Sequence, residues 1–309
     1  MTDSAIAVEP GFAHAVDGQI RPGDIHGWRL IFRRFRRQRM AMAGLIVAFL
    51  ITLAGQLAPW IAPYDKGEAT SKFLAGPSRD HLLGTDQAGY DMLSRVLYAT
   101  RTSMYAALLA VVLAVVGGTL IGLVSGYFGR WVDTVLMRII DAVMAYPGLL
   151  MAMAIVGVLG PGITNAMIGL SIAFMPGFAR LVRGQVLAVR EEAYVEAARV
   201  VGASGPRIIR RHIVPNILSV LIVQTFMAIG FALLAEGGLA FIGLSVQPPD
   251  TSLGSLIQRG FTMINVTLRL ALVPGIVITL LTVSFNAIAD GLRDALARHE
   301  VSPEIVVQA

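Results

Sequence analysis

Met40-Ala-Met-Ala-Gly-Leu-Ile-Val-Ala-Phe-Leu-Ile-Thr-Leu-Ala-Gly-Gln-Leu-Ala-Pro-Trp-Ile-Ala62 is a stretch of twenty-three residues without a charge. A helix rises about 1.5 Å per residue, so the stretch reaches about 34 Å and can cross a hydrocarbon layer about 30 Å thick. Within lipid every backbone N–H and C=O must be satisfied internally, which only a helix or a closed barrel achieves. The stretch therefore predicts a spanning helix. It follows a long arginine-rich leader with no short apolar core and no small-residue cleavage site, so it is expected to be retained.

Five more apolar runs lie downstream: Met104–Tyr127, Ile139–Leu159, Ile163–Phe178, Ile217–Ala235 and Leu270–Ala289. The run Ile163–Phe178, the fourth of the six, is short and is expected to extend toward Arg183, whose long side chain can reach the interface. The fold class is thus all-α, a polytopic membrane protein with six transmembrane helices. Composition agrees, with 55% hydrophobic and 15% charged residues and a mean hydropathy of +0.69. Soluble domains carry about 25% charged residues, and a charge at mid-bilayer costs at least about 2.5 kcal/mol. The expected organisation is a tail over 1–39, a six-helix domain over 40–296 and a tail over 297–309. Gly118, Gly122 and Gly126 recur every fourth residue, a face that lets another helix approach closely, as a moving contact or as ordinary packing. Pro147, Pro176 and Pro274 are expected to kink or end their helices.

Basic residues set the orientation. With the N-terminus inside, cytoplasmic segments hold 18 basic residues and external ones 7, so both termini are expected in the cytoplasm. Residues 63–103 then form an external segment and residues 180–215 a cytoplasmic loop. The first 26 residues show no periodicity. Trp28, Ile31, Phe32 and Phe35 share a helical face ringed by Arg29, Arg33, Arg36 and Arg37, which suits an interfacial helix on the inner leaflet or a plain flank. The net charge of +5 comes from short loops beside apolar runs. No basic stripe is interleaved with aromatics, so nucleic acid is not an expected partner.

No catalytic or metal site is expected. His-Glu-x-x-His and Gly-x-Ser-x-Gly are absent, cysteine is absent, and the five histidines lie near tails and loops. ATP binding by this chain is excluded because a P-loop needs Gly-Lys-Ser/Thr. The two lysines, Lys66 and Lys72, follow Asp65 and Ser71.

Residues 188–202 read Ala-Val-Arg-Glu-Glu-Ala-Tyr-Val-Glu-Ala-Ala-Arg-Val-Val-Gly. Ala193, Ala197, Val200 and Val201 fall on one face at helical spacing, and Gly202 suits a helix stop. Ser204 can cap a second helix with Pro206 in its first turn and a basic face of Arg207, Arg210 and Arg211. Two readings stand open: a compact knob that docks in a groove on a soluble partner, or a solvated amphipathic loop.

At these residues the chain resembles the permease subunits of bacterial ABC importers. The loop signature stands here as Glu196, Ala197, Ala198, Gly202, Val214 and Pro215, and Arg211-His212-Ile213-Val214-Pro215-Asn216 matches the peptide-importing branch. The resemblance narrows to the C-type subunit of the dipeptide/oligopeptide/nickel family. It does so through His81-Leu82-Leu83-Gly84-Thr85-Asp86 with Gly89, Asp91, Ser94, Arg95, Arg101 and Ser103, and through Ala179-Arg180-Leu181-Val182-Arg183-Gly184. Phe241-Ile242-Gly243-Leu244, Gln247-Pro248-Pro249, Phe285-Asn286 and Asp290–Ala295 complete it. It covers roughly residues 28–296. Tyr90 replaces an arginine and Leu253 a frequent tryptophan, both in segments expected to meet solute or a binding protein.

The resemblance implies a type I permease fold in a prokaryotic inner membrane and a path formed with a second, related permease. It also implies an external solute-binding protein and two ATPase subunits that carry ATP and magnesium, this chain holding no cofactor. Coupling would run through Glu196, Ala197, Ala198, Gly202 and Pro215. Glu236 and Arg269, near the outer mouth, could touch a zwitterionic solute or be solvated helix ends. The solutes of the family rank here as dipeptides or oligopeptides first, glutathione next and nickel chelates last. A secondary transporter or channel is the competing class; it would want mid-membrane ionisable residues and inverted repeats, and the central thirds of these spans hold essentially no charge. A membrane-embedded enzyme would need a nucleophile–base pair, which the sequence lacks.

Overall fold

The computed structural model of the chain describes residues 25–297. The leader up to residue 24 and the C-terminal tail from residue 298 lie outside them. The regular elements among the described residues are all helices, with two isolated β-bridges, Ala69 to Tyr90 and Thr85 to Asp91, in the linker before Met92. Helix α1 (Ile25–Arg37) leads into α2 (Arg39–Gln56) and the single turn α3 (Ala58–Ile61), whose Pro59 sits in the first turn where no N–H is needed. After a long linker come α4 (Met92–Phe128), α5 (Arg130–Met144), α6 (Gly148–Leu159) and α7 (Ile163–Arg190). Then follow α8 (Ala193–Val200), α9 (Gly205–Ile208), a π-turn (Ile209–Ile213), α10 (Val214–Phe241), α11 (Leu253–Thr262) and α12 (Arg269–Ala297).

Five helices are long and apolar enough to cross a membrane, and α5 with α6, bent by 88° at their break, supply a sixth when the pair is taken as one broken span. The third expected span, drawn as one run over Ile139–Leu159, is thus two pieces. Pro147 removes a backbone donor and stands between them, with Gly148 opening α6. Pro176 and Pro274 instead lie inside the continuous helices α7 and α12. Helix α7 extends well beyond Phe178, to Arg190, and α4 at 37 residues is about 55 Å long, so it projects past the bilayer.

The glycine stripe joins α4 to α7. A Cβ on Gly118 would stand 2.5 Å from Phe178 Cβ, one on Gly122 2.6 Å from the Ala179 carbonyl oxygen, and one on Gly126 2.8 Å from Val186 Cβ. Only hydrogen at these positions lets the two backbones approach so closely. On the other flank α12 packs against α2, α10 and α11, and a Cβ on Gly44 of α2 would meet the Ser284 carbonyl at 2.9 Å. Outward faces of α2 and α4 stay apolar, with Phe49, Leu50, Val116 and Leu120 exposed, as lipid or a membrane partner requires.

Contacts sort the bundle into two ends. The α4 terminus, the α7 terminus and the 193–213 region meet at one end, where Arg190 Nη1 donates to the Gly126 carbonyl at 3.3 Å. The start of α4, the end of α10 and the starts of α11 and α12 meet at the other. Gln38, between α1 and α2, reaches Asp294 of α12 at 3.4 Å and so holds α1 at the first end. The apolar face of α1 is divided: Phe35 is buried against Gly291 of α12, whereas Phe32 is exposed.

Candidate functional site: the helical protrusion

The polypeptide leaves α7 at Arg190, turns at Glu191 and Glu192, and forms α8. This helix ends in a Schellman turn. The Gly202 N–H bonds the Arg199 carbonyl and the Ala203 N–H the Ala198 carbonyl, both at 3.0 Å, with Gly202 at φ +85°. Gly202 supplies the left-handed conformation that other residues adopt only at a penalty. Nothing lies within 4 Å of where its Cβ would be, so the demand is conformational and not steric.

One side of α8 is anchored. Val195 is fully buried in a cluster with Val182, Val186, Ile208, Ile213 and Ile217. Asn216 donates to the Tyr194 hydroxyl at 2.9 Å and to the His212 carbonyl at 2.6 Å, and Gly205 lies against the Tyr127 ring. Burial, with Glu192 nearby, pushes the Tyr194 phenol above its ordinary pKa, so it remains neutral and keeps its hydroxyl.

The other side is bare. Ala193, Glu196, Ala197 and Gly202 are exposed, with Val200 at 81% and Val201 at 88%. Two valines so far from any partner within the chain form an apolar prominence beside the Glu196 carboxylate. Ala198 is half-buried at its base.

Beyond Gly202 the geometry departs from a simple second helix. Ser204 takes the N-cap conformation but its hydroxyl makes no cap bond. Helix α9 is a single turn, and the π-turn carries the backbone directly into α10, with Pro215 in its first turn. Pro215 lacks a donor and its ring crowds the carbonyl four residues back, and the wider π-turn just ahead of it accommodates both defects. Pro215 therefore welds the protrusion to α10.

A polar brace underlies the protrusion. Arg183 of α7 grips Asp133 of α5 with two parallel bonds, Nε–Oδ1 2.6 Å and Nη2–Oδ2 2.7 Å, and Ser125 of α4 donates to Asp133 at 2.5 Å. Arg180 pairs with Asp141 at 2.5 Å. The loop reading of the sequence missed Asp133 and Asp141; their signal was two acids eight apart facing two arginines three apart.

At the opposite end, Glu236 and Arg269 are not the solvated helix ends that the sequence left open. Glu236 is 0% exposed and accepts from Ser103 at 3.0 Å and Ser245 at 3.1 Å. Arg269 directs its guanidinium to the Ala75 carbonyl at 2.5 Å, with those of Leu74 and Thr85 close by, and so ties the linker to α12. Both carry structural bonds that the sequence could not show. Leu253 is fully buried with its N–H on Ser103 Oγ at 3.0 Å, so its replacement of tryptophan concerns packing within the chain and not a surface contact. Tyr90 lies under the Arg95 guanidinium, 4.7 Å from ring to cation.

The linker is an ordered cap. His81 Nδ1 and Asp91 Oδ1 are 3.0 Å apart and buried, Asp91 caps α4 through the Ser94 N–H at 2.9 Å, and Arg95 pairs with Asp86 at 2.8 Å. Thus the His81–Arg95 motif folds on itself.

A bundle of five unbroken spans and one broken span, with a braced protrusion at one end and an ordered cap at the other, defines a multi-pass permease-type membrane protein. Residues 118–300 match the family described as "Binding-protein-dependent transport system inner membrane component", and residues 27–77 match "N-terminal TM domain of oligopeptide transport permease C". The chain belongs to the binding-protein-dependent transport permease family. It is 39% identical over 270 residues to a dipeptide transport system permease protein of Alkalihalophilus pseudofirmus, covering 87% of this chain and 89% of the relative. It is 39% identical over 272 residues to a glutathione transport system permease protein of Pectobacterium atrosepticum, at 87% and 90% coverage. It is 41% identical over 269 residues to a putative peptide transport system permease protein of Brucella suis, at 86% and 90%. Among solved structures, an inward-facing MetNI methionine ABC transporter aligns at a TM-score of 0.51 and 17% identity, covering 65% of this chain and 97% of that chain. That likeness concerns the fold.

Proposed function

We propose that the chain is one of two permeases in an ATP-driven importer of dipeptides or oligopeptides. Its protrusion around Glu196–Gly202 receives the motion of ATPase subunits on the cytoplasmic side. The observation that carries this is the exposed Ala193–Ala197–Val200–Val201 prominence on a rigidly braced base, in a chain with no P-loop of its own. Small side chains allow close docking in a groove, and Glu196 supplies one charge for register. ATP and magnesium reside on the partners. The 18-to-7 distribution of basic residues supports a cytoplasmic protrusion and N-terminus, which puts α1 on the inner leaflet and the 63–91 cap outside, where a solute-binding protein docks.

Peptides rank first as solute because dipeptide and peptide permeases stand among the relatives; a glutathione-type peptide comes next, and nickel chelates last. Calorimetry of the cognate binding protein against a panel of dipeptides, oligopeptides, glutathione and nickel chelates tests this order. Tight binding of a short peptide is expected, and binding of nickel alone would overturn the assignment. For coupling, Glu196→Lys with Gly202→Val is expected to abolish uptake while leaving membrane insertion intact. Normal uptake in that variant would remove the protrusion from the mechanism.

A further inference from the structure

Measured from the start of α7, the break in the third span lies about half a hydrocarbon thickness along that helix. Gly148 lies against Ala173, where a Cβ would be 3.5 Å from the Ala173 Cβ. Ala173 is ten residues into α7, about 15 Å from its start, and so about halfway across a core of about 30 Å. Helix α6, with 12 residues, is about 18 Å long and covers only the remaining half. At the break the Ala145 N–H still bonds the Asp141 carbonyl and the Tyr146 N–H the Val143 carbonyl, but the Ala145 and Tyr146 carbonyls accept no backbone hydrogen bond among the described residues. Tyr146 is 64% exposed, with Met144 and Leu150 exposed on either side.

Lipid cannot be what this surface faces. Irregular backbone at membrane depth persists only against protein or along a water-filled cavity, and tyrosine otherwise collects at the interfaces. A fixed protein cover would have to supply matched donors for two carbonyls across a seam that opens in every transport cycle. Resting on the importer reading above, we propose that Ala145–Pro147, with Tyr146 at its apex, lines the water-filled solute path. There the Ala145 and Tyr146 carbonyls and the Tyr146 hydroxyl offer hydrogen bonds to the ammonium and amide N–H groups of a passing peptide. Pro147 ends the ladder here: it has no N–H for the Val143 carbonyl, which takes the Tyr146 N–H instead at 3.3 Å, and with the helix stopped the Leu149 and Leu150 N–H groups open α6 and do not return to the Ala145 and Tyr146 carbonyls.

The absence of cysteine makes the test direct. In the complete transporter, Tyr146→Cys is compared with Leu50→Cys, an exposed position on α2, using a hydrophilic, charged thiol reagent. Only the thiolate reacts, and a thiol held in hydrocarbon stays protonated. Tyr146→Cys is expected to react more than about tenfold faster, the effect of one pKa unit, and to be slowed when transported dipeptide is present. Equal rates at the two positions in the resting and nucleotide-bound states would overturn the proposal. Fast labelling that dipeptide does not slow, in a transporter whose cysteine-free parent takes up that dipeptide, would overturn the peptide contact. Fast labelling with a parent that takes up no peptide would uphold the path and sink the peptide reading instead. If Tyr146→Cys fails to assemble, Tyr146→Phe serves: a KM for dipeptide raised about fivefold, the loss of one hydrogen bond, is expected, and an unchanged KM would overturn the role of the hydroxyl.

Discussion

Gly202 and Glu236 show how single residues act at the two ends of the bundle. Gly202 holds φ +85° in open space. Gly202→Asn should therefore be tolerated, whereas Gly202→Val should cost about 1–2 kcal/mol of left-handed strain or unwind the turn. Uptake assays on equally expressed variants check this, with Asn near wild type and Val strongly impaired. Glu236 is fully buried, and two serine hydroxyls point at its carboxylate. Glu236→Ala would leave both without an acceptor and open a cavity, lowering stability by roughly 2–4 kcal/mol. Thermal unfolding in detergent should show a lower midpoint for Glu236→Ala than for Glu236→Gln, which preserves shape and one acceptor.

At the scale of elements, α4 and α7 behave as one unit. Gly122→Leu would drive a side chain into the Ala179 carbonyl 2.6 Å away, where backbone cannot yield. The α4–α7 seam should loosen by about 1–3 kcal/mol or more, read as reduced yield of assembled transporter. The Asp133–Arg183 pair links α5 to that unit. Either single neutralisation should cost about 1.5–3 kcal/mol, and the exchange Asp133→Arg with Arg183→Asp should recover part of it. Unfolding of the two single variants and the double variant measures the coupling.

Much of this layer was legible in the sequence. Continuous apolar runs located five spans because hydrocarbon length and backbone satisfaction leave little choice. The Gly118–Gly122–Gly126 spacing announced a close helix contact, and Gly202 announced the end of α8. The break at Pro147 was not resolved, since apolarity continues through it and hydropathy carries no direction. The Glu236–Ser103 and Arg269–Ala75 bonds were invisible for another reason: they join residues 133 and 194 positions apart. A window along the chain shows Glu236 and Arg269 only as lone charges.

For the whole molecule, the two ends are built for different tasks. The cap is paired within the chain, with His81, Asp86, Asp91 and Arg95 bonded among themselves and Arg269 tying it to α12. The protrusion is paired only at its base and leaves its tip unpartnered. Through α7 and α10 the tip is continuous with two spanning helices, so on the proposed function a push on it would be carried into the bundle, the rigid-body movement that alternating access needs.

The most direct measurement of this coupling is cross-linking at the tip. In a chain free of native cysteine, Ala197→Cys is placed in the assembled importer and paired with single cysteines around the docking groove of the ATPase subunit. A cross-link to the ATPase whose yield changes with ATP, together with labelling of Ala197→Cys only from the cytoplasmic side, is the expected result. Labelling of Ala197→Cys by an impermeant reagent on intact cells, or an assembled complex in which the tip touches no other subunit, would contradict it.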